Sequence, residues 1–180
     1  KRAEILSNEK ELQNIDDVYT SNCVRTLQTA KYLLEKQNLK VNIDERFDER
    51  RPGKPNSDKV PDWYERQFFD ENYKTEGGES QAEVRQRMSE AFEEVVKDNK
   101  GKRIAIFSHG NAITFFLLKW CKLESVNTNR NLCLSFNNKI VFNKRINSPD
   151  VFKITLNDKN EVIDIENIEF EDLDFDDFNK

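Results

Sequence analysis

The order of apolar and polar positions predicts alternating strands and helices over the first two thirds of the chain. Short runs rich in β-branched residues are typical of buried strands, and apolar residues at helical spacing predict amphipathic helices. The strand-like runs are residues 15–20, 41–43 and 103–107. The helical stretches are residues 1–12 (as the later part of a longer helix), 22–36, 62–69, 80–99 and 112–120. This alternation is typical of α/β folds.

The last third of the chain has a different pattern, in which short strands are separated by turn residues. Asn137-Asn138 is typical of a tight turn, and residues 157–160 of a hairpin loop. The predicted strands are residues 131–136, 140–144, 151–156 and 161–168. We expect one domain over residues 1–168 and a solvated acidic tail over residues 169–180. The alternative for the tail is a segment that docks on its own domain or on a partner.

The most distinctive stretch is Ser108-His109-Gly110-Asn111, which lies between a predicted strand and a predicted helix. Ligands of open α/β sheets bind at the carboxyl ends of strands, and a helix amino terminus favours anions. His109 is the only histidine of the chain. It is therefore a candidate for an anion site, although a lone histidine in apolar surroundings is more often structural.

Arg25 lies in the first turn of the helix that follows the first strand, where Ser21 or Asn22 can act as the cap. One interpretation is a solvated arginine. The other is a ligand whose planar guanidinium binds phosphate oxygens in pairs. Four apolar residues are expected on the inner side of this helix: Val24, Leu27, Leu33 and Leu34.

Three carboxylates follow the second strand, in a segment that ends at Pro52-Gly53. They are Glu45, Asp48 and Glu49. Most loop carboxylates are solvated, but one of these can serve as a proton donor if a site closes over it.

Composition excludes several classes of function. The chain has 180 residues and a net charge of −5, which disfavours nucleic acid as a partner. A single histidine makes a zinc site improbable, so we expect no metal and no cofactor. No run of 18 apolar residues is present to span a membrane. The three cysteines are odd in number and lack metal spacing, which indicates free thiols of a reducing, cytoplasmic compartment.

Four stretches of the chain form a combined pattern. They are Val18-Tyr19-Thr20-Ser21 with Arg25 and Gln28-Thr29-Ala30, Phe47-Asp48-Glu49 with Gly53, Gly78-Glu79-Ser80 with Arg87, and Ser108-His109-Gly110-Asn111. In this order and at these spacings they resemble the motifs of the histidine phosphatase superfamily, also called phosphoglycerate mutase-like. The resemblance runs from residue 1 to about residue 155. It implies a three-layer α/β/α fold with a mostly parallel central sheet.

The resemblance also implies a role for the matching residues. His109 is expected to bind phosphoryl oxygens, Arg25 to clamp the phosphate, and Glu49 to protonate the leaving group and then activate water. Four further residues are expected to contact the substrate: Ser21, Arg50, Gly110 and Asn111. Arg50 would meet an additional anionic group of the substrate, unless it belongs to a solvated charged run.

The chain departs from the family pattern at one essential point. The family's nucleophile is a histidine in an Arg-His-Gly motif on a central strand, and no such motif occurs in the 180 residues. We expect the nucleophile upstream of residue 1, in about 25–35 further residues that supply one strand and a loop.

Four functions remain open at this point. We favour a phosphatase over a mutase, because only 28 residues separate Glu49 from Gly78 and a short cap leaves the site open to water. The third option is a relative that binds phosphate without catalysis. The fourth and weakest, which no ligand cluster in the sequence supports, is a metal-dependent hydrolase that uses Asp and Glu with His109. The expected partner is a phosphorylated small molecule or a phosphoprotein, and a homodimer is considered as the assembly.

Overall fold

A computed structural model describes residues 1–54, 63–127 and 129–170. The helices in these ranges are α1 (Arg2–Leu6), α2 (Val24–Gln37), α3 (Trp63–Phe69), α4 (Gln81–Asp98) and α5 (Gly110–Leu117). The strands are β1 (Asp17–Thr20), β2 (Val41–Ile43), β3 (Ile104–Phe107), β4 (Lys122–Val126), β5 (Asn131–Phe136), β6 (Lys139–Arg145), β7 (Val151–Leu156) and β8 (Val162–Ile168). Short 3₁₀ turns occupy Lys10–Leu12 and Glu45–Phe47.

The first three strands form the predicted parallel sheet, in the order β2-β1-β3. Thr20 pairs with Ile43 on one side and with Phe107 on the other. All three strands therefore end at the same level. The residues that follow them, including Ser21 and Ser108, share one edge of the sheet.

The two faces of this sheet contact different apolar clusters. Val18 and Ala105 pack with Leu33 of α2. Tyr19 and Ile106 pack against the larger cluster, to which α4 and α5 contribute most of their buried residues. Neighbouring residues of a strand point to opposite faces, so the two residues Val18 and Tyr19 reach both clusters.

The last third forms antiparallel hairpins, as predicted. Strands β4, β5 and β6 make one sheet, and β7 pairs with β8. Asn137 and Asn138 have φ of 49° and 64°, so both central residues of the β5–β6 turn are left-handed, as this tight hairpin turn requires. The described strands thus form three separate sheets. Strand β4 was not predicted, because two polar residues separate Leu123 from Val126 and the pairing register shifts between Leu123 and Ser125.

Helix boundaries differ from the prediction in two places. The helix expected over residues 1–12 ends at Leu6, because the Gln13 side chain donates hydrogen bonds to the carbonyls of Ser7 and Glu9 at 3.1 and 2.8 Å. Helix α5 covers Gly110–Leu117 rather than residues 112–120. The earlier start makes His109 the residue that precedes the first turn of the helix.

The amino terminus of α2 also corrects the prediction. Cys23, not Ser21 or Asn22, occupies the N-cap position, and its side chain makes no capping hydrogen bond. The inner face of the helix carries Thr26, Ala30 and Leu33, whereas Val24 is 68% exposed. Two residues along a helix correspond to about 200° of rotation, so placing Thr26 inward turns Val24 toward the surface.

In the part of the chain that the structure describes, none of the helices has the length and apolar character needed to cross a membrane. The predicted acidic tail begins at Glu169, but residues 171–180 lie outside the described ranges.

Candidate active site

The site is assembled where the three parallel strands end. Two hydrogen bonds hold the segments after these strands together. The Ser108 hydroxyl donates to the Phe47 carbonyl at 2.7 Å, and the Asn22 amide donates to Oδ1 of Asp48 at 2.7 Å. The loop after β2 is thereby fixed to the segments that follow β1 and β3.

His109 lies at the amino terminus of α5 and is 5% exposed. Its Nδ1 accepts a hydrogen bond from Nε of Arg25 at 2.8 Å, and its Nε2 lies 2.8 Å from Oγ of Ser21. The Arg25 N–H can only donate, so Nδ1 carries no proton in this arrangement. The neutral ring therefore carries its proton on Nε2, which donates to the Ser21 hydroxyl.

A chain of hydroxyl groups continues from the ring into α2. Oγ of Ser21 lies 2.8 Å from Oγ1 of Thr26, which in turn donates to the Cys23 carbonyl at 2.7 Å. Ser21 and Thr26 are both buried. This chain fixes the plane of the imidazole and the position of its proton.

The electrostatic surroundings keep His109 neutral. Burial lowers the pKa of His109, and the positive charge of Arg25 lowers it further, to about 4. Asp48 acts in the opposite direction, and Arg87 adds a smaller lowering effect. The ring is thus held uncharged at neutral pH beside two arginines.

Glu49 reaches the same end of α5 from the loop after β2. Its Oε1 accepts hydrogen bonds from the amides of Arg50 and Ala112, at 2.9 and 3.1 Å. Ala112 is the third residue of the helix, where a carboxylate is favoured by the helix dipole. Within the described residues, the amides of Gly110 and Asn111 have no hydrogen-bond acceptor. Such open amides at the start of a helix can bind an anion.

An ion pair between the buried Glu79 and the partly buried Arg87 supports the Glu49 loop. The Arg87 Nε and Nη2 groups donate to the two carboxylate oxygens of Glu79 at 2.9 and 3.1 Å. Arg87 also donates to the carbonyls of Arg46 and Glu49, at 2.7 and 3.2 Å. Burial alone would raise the pKa of Glu79, but the hydrogen bonds from Arg87 and the Arg51 amide outweigh it and lower the pKa. The pair joins α4 to the loop that carries the candidate proton donor.

Two motif glycines let the same loop approach the start of α4. Gly53 has φ of 69°, and a Cβ atom there would lie 2.7 Å from the Glu76 carbonyl oxygen. A Cβ atom on Gly78 would lie 3.0 Å from the Pro52 carbonyl oxygen. The backbones are in direct contact, so neither position has room for a side chain.

The structure brings together most of the predicted site residues. Arg25, His109 and Ser21 are joined by hydrogen bonds, and Glu49 lies at the helix terminus that begins with Gly110 and Asn111.

Arg50 is placed differently. It is 6% exposed, its Nε donates to the Glu79 carbonyl at 2.9 Å, and burial lowers its pKa. Its guanidinium is therefore held against the segment that precedes α4, and its predicted contact with substrate stays a prediction.

Two features of the site were missed from the sequence. The hydroxyl of Thr26 was not singled out, although its place three residues after Cys23 is one from which side chains bond to the helix terminus. Glu79 and Arg87 were noted as a motif without a role, and their spacing of eight residues gave no sign that they pair.

The described residues contain no group of three or more histidine, cysteine, aspartate or glutamate side chains that could hold a metal ion. Cys23, Cys121 and Cys133 are free thiols, as predicted.

Comparison with known proteins gives a family and a fold. The family model described as histidine phosphatase superfamily (branch 1) matches residues 1–139. Phosphoserine phosphatase 1 from Hydrogenobacter thermophilus is 31% identical over 118 residues, which are 61% of this chain and 56% of that protein. The chain thus spans little more than half the length of this curated relative.

Solved structures agree on the fold. Bacillus stearothermophilus YhfR is 19% identical, with a TM-score of 0.57, over 81% of each chain. A mycobacterial glucosyl-3-phosphoglycerate phosphatase is 21% identical, with a TM-score of 0.56, over 65% of this chain and 60% of its own. At these identities the likeness concerns the fold alone, which is a mixed α/β fold of the phosphoglycerate mutase-like type.

Proposed function

Because the chain belongs to the histidine phosphatase superfamily, we propose that it is a phosphoric monoester hydrolase that acts through a phosphohistidine intermediate. A covalent intermediate divides hydrolysis into two steps, transfer of the phosphoryl group to histidine and then to water. The three free cysteines of the chain favour a reducing, cytoplasmic location.

One observation carries this proposal, the convergence of Arg25, His109 and Glu49 around the open amides of α5. A transferring phosphoryl group spreads negative charge over its oxygens, and fixed cations and N–H donors stabilise that charge. Arg25, His109 and the Gly110 amide would supply these contacts. Glu49 would protonate the leaving oxygen and then take a proton from the attacking water.

The nucleophilic histidine would come from a strand outside the 180 residues. Among the described strands, β3 pairs with β1 alone, so its other edge presents unpaired N–H and C=O groups. We place the nucleophile-bearing strand at this edge, where it would extend the parallel sheet beside His109. The sheet would then lie between α2 on one face and α4 and α5 on the other, as a three-layer α/β/α fold.

The relatives support a substrate class, and the short cap supports water as the acceptor. Relatives are named for phosphoserine and for glucosyl-3-phosphoglycerate, so a small phosphorylated metabolite is the first candidate and a phosphoprotein the second. We favour water over a second substrate as the acceptor. Phosphoglycerate mutase-type transfer is the alternative within this mechanism.

The test uses the natural full-length gene product. Release of inorganic phosphate is measured with phosphoserine, glucosyl-3-phosphoglycerate, other phosphomonoesters and a phosphopeptide. We expect Glu49→Gln and His109→Gln to lower kcat by about 100-fold or more. Glu45→Gln, an exposed carboxylate in the same loop, is the matched control and should retain activity. A phosphoenzyme that is stable in alkali and labile in acid is expected during turnover.

Absence of phosphate release from every ester would contradict the proposal. Binding of phosphate without turnover would instead support the second candidate, a non-catalytic relative. The observation that favours this candidate is that His109 is the only histidine among the 180 residues.

A further inference from the structure

Both nitrogens of the His109 ring are already engaged in this structure. Nδ1 accepts from Nε of Arg25, and Nε2 donates to the hydroxyl of Ser21. The neutral ring has no remaining N–H group to offer an anion. Arg25 likewise donates its Nε–H to the ring and not to a ligand.

We propose that an oxyanion binds at this site together with one proton, which His109 takes up at Nδ1. The anion then lies between the ring and Arg25 and accepts a hydrogen bond from each. The inference rests on the proposed phosphate site and adds that, at neutral pH, the His109 ring is charged only when the site is occupied.

The direction of this exchange follows from the donors involved. A protonated Nδ1 cannot face the Nε–H of Arg25, because both groups donate. An anion oxygen placed between them accepts from both, and its charge favours the imidazolium. Nε2 keeps its proton and donates a hydrogen bond to the Ser21 hydroxyl, which in turn donates to Oγ1 of Thr26. Only Nδ1 is therefore available for the added proton.

The charged groups around the ring agree with this exchange. Arg25 of α2 and Arg87 of α4 disfavour the imidazolium in the empty site, and Asp48 of the loop after β2 favours it. Glu49 bonds to the amide of Ala112, on the helix that follows the ring. A dianion would offset the two arginines, which adds to the effect of the direct hydrogen bond.

The consequence is that anion affinity depends on pH. The free ring titrates at about pH 4, and the bound ring titrates at a higher pH. Between these two values the bound state holds one more proton, so affinity falls by up to about tenfold for each unit of rising pH. Below the lower value the ring is already protonated and affinity is constant.

The test is an NMR titration of His109 in the full-length protein, with its signal assigned through His109→Gln. Sulfate is the probe, because it remains a dianion throughout the range and cannot be hydrolysed. The pKa of His109 is measured without sulfate and at saturating sulfate, with sodium chloride matching the ionic strength. We expect about 4 without sulfate and a rise of about two units or more with it.

Two matched variants distinguish the direct contact between Arg25 and His109 from a general effect of positive charge on α2. In Arg25→Gln the free ring should titrate nearer to its ordinary value, and sulfate should shift it little. Lys31→Gln removes the same charge from an exposed side chain of the same helix and should behave as the wild type.

The outcomes distinguish this inference from the proposed function. Sulfate that binds without moving the His109 titration would overturn the inference alone, since the anion would then use only the outer N–H groups of Arg25. Sulfate that shifts no resonance of the strand-end residues would overturn the anion site itself, and the inference with it.

Discussion

The two sides of the α5 terminus are built in different ways. On the His109 side, a neutral ring, one arginine and two hydroxyls form a chain of single hydrogen bonds. On the Glu49 side, Arg87 donates to both carboxylate oxygens of Glu79 in a largely buried pair, and also to two backbone carbonyls. We call these the imidazole side and the clamp side.

The two sides differ in whether a bound ligand can replace their contacts. On the imidazole side, the bond between Arg25 and His109 can be replaced by bonds to a ligand that supplies an acceptor for each group. The clamp side lies behind the site, and removing the Glu79 charge would leave the largely buried Arg87 guanidinium with carbonyl acceptors only. A site that must bind and release an anion is expected to place its replaceable contacts at the ligand and its fixed contacts behind it.

The largest expected effect comes from breaking the clamp side. Glu79→Gln keeps the size of the side chain but leaves the Arg87 guanidinium without its carboxylate. Loss of one partner of a buried pair costs about 3–5 kcal/mol in the free energy of unfolding. We expect the lower end of this range, because Arg87 is 19% exposed and keeps two carbonyl acceptors. The measurement is urea denaturation, together with the kcat of the proposed reaction, which should fall because the Glu49 loop loses its support.

The control is a second ion pair in which an arginine of α4 meets a carboxylate that precedes the helix. Glu71→Gln breaks the more exposed pair with Arg85, whose partners are 54% and 27% exposed. A pair of this kind contributes below about 1 kcal/mol. Equal losses in the two variants would show that the clamp is no more than a surface ion pair.

This contrast also explains what the sequence allowed us to predict. The parallel sheet, the long helix α4 and the Asn137-Asn138 turn follow from local patterns, and they were confirmed. The hydrogen bond between Arg25 and His109 joins residues 84 positions apart. Their proximity could be predicted, because parallel strands of a sheet end at the same edge.

The contacts themselves were not foreseeable from the sequence. Which nitrogen of His109 faces Arg25 depends on the rotation of the ring, which the buried Thr26 hydroxyl helps to set. The burial of Arg50 against the Glu79 carbonyl reverses the usual exposure of arginine. Such features arise from tertiary packing, and periodicity carries no information about them.

The second prediction concerns the pH dependence of stability on the imidazole side. The ring titrates at 6.5 in a model compound and at about 4 in the folded chain. Between these values the unfolded state binds more protons, so the free energy of unfolding falls as the pH drops from 6.5 toward 4. The shift corresponds to a loss of up to about 3 kcal/mol, and above pH 6.5 the contribution is fully present.

Urea denaturation at a series of pH values measures this effect, with His109→Gln as the reference. The clamp side does not interfere, because the lowered pKa of Glu79 places its own loss of stability at more acidic pH. Parallel curves for wild type and variant between about pH 5 and 6.5 would contradict the assignment of a neutral, buried ring.

The smallest expected effect is that of Arg51→Ala. This variant tests whether Glu79 is held by the main-chain amide of Arg51 or by its side chain. The Arg51 amide donates to Oε2 of Glu79 at 2.9 Å, whereas its guanidinium is 3.5 Å from Oε1 and 75% exposed. Arg51→Ala keeps the amide and removes an exposed charge, so we expect a loss below about 0.5 kcal/mol. In a double-mutant cycle with Glu79→Gln the coupling energy should be similarly small. A coupling above about 1 kcal/mol would mean that the exposed Arg51 guanidinium stabilises the Glu79 carboxylate together with Arg87, and that the clamp side extends to the protein surface.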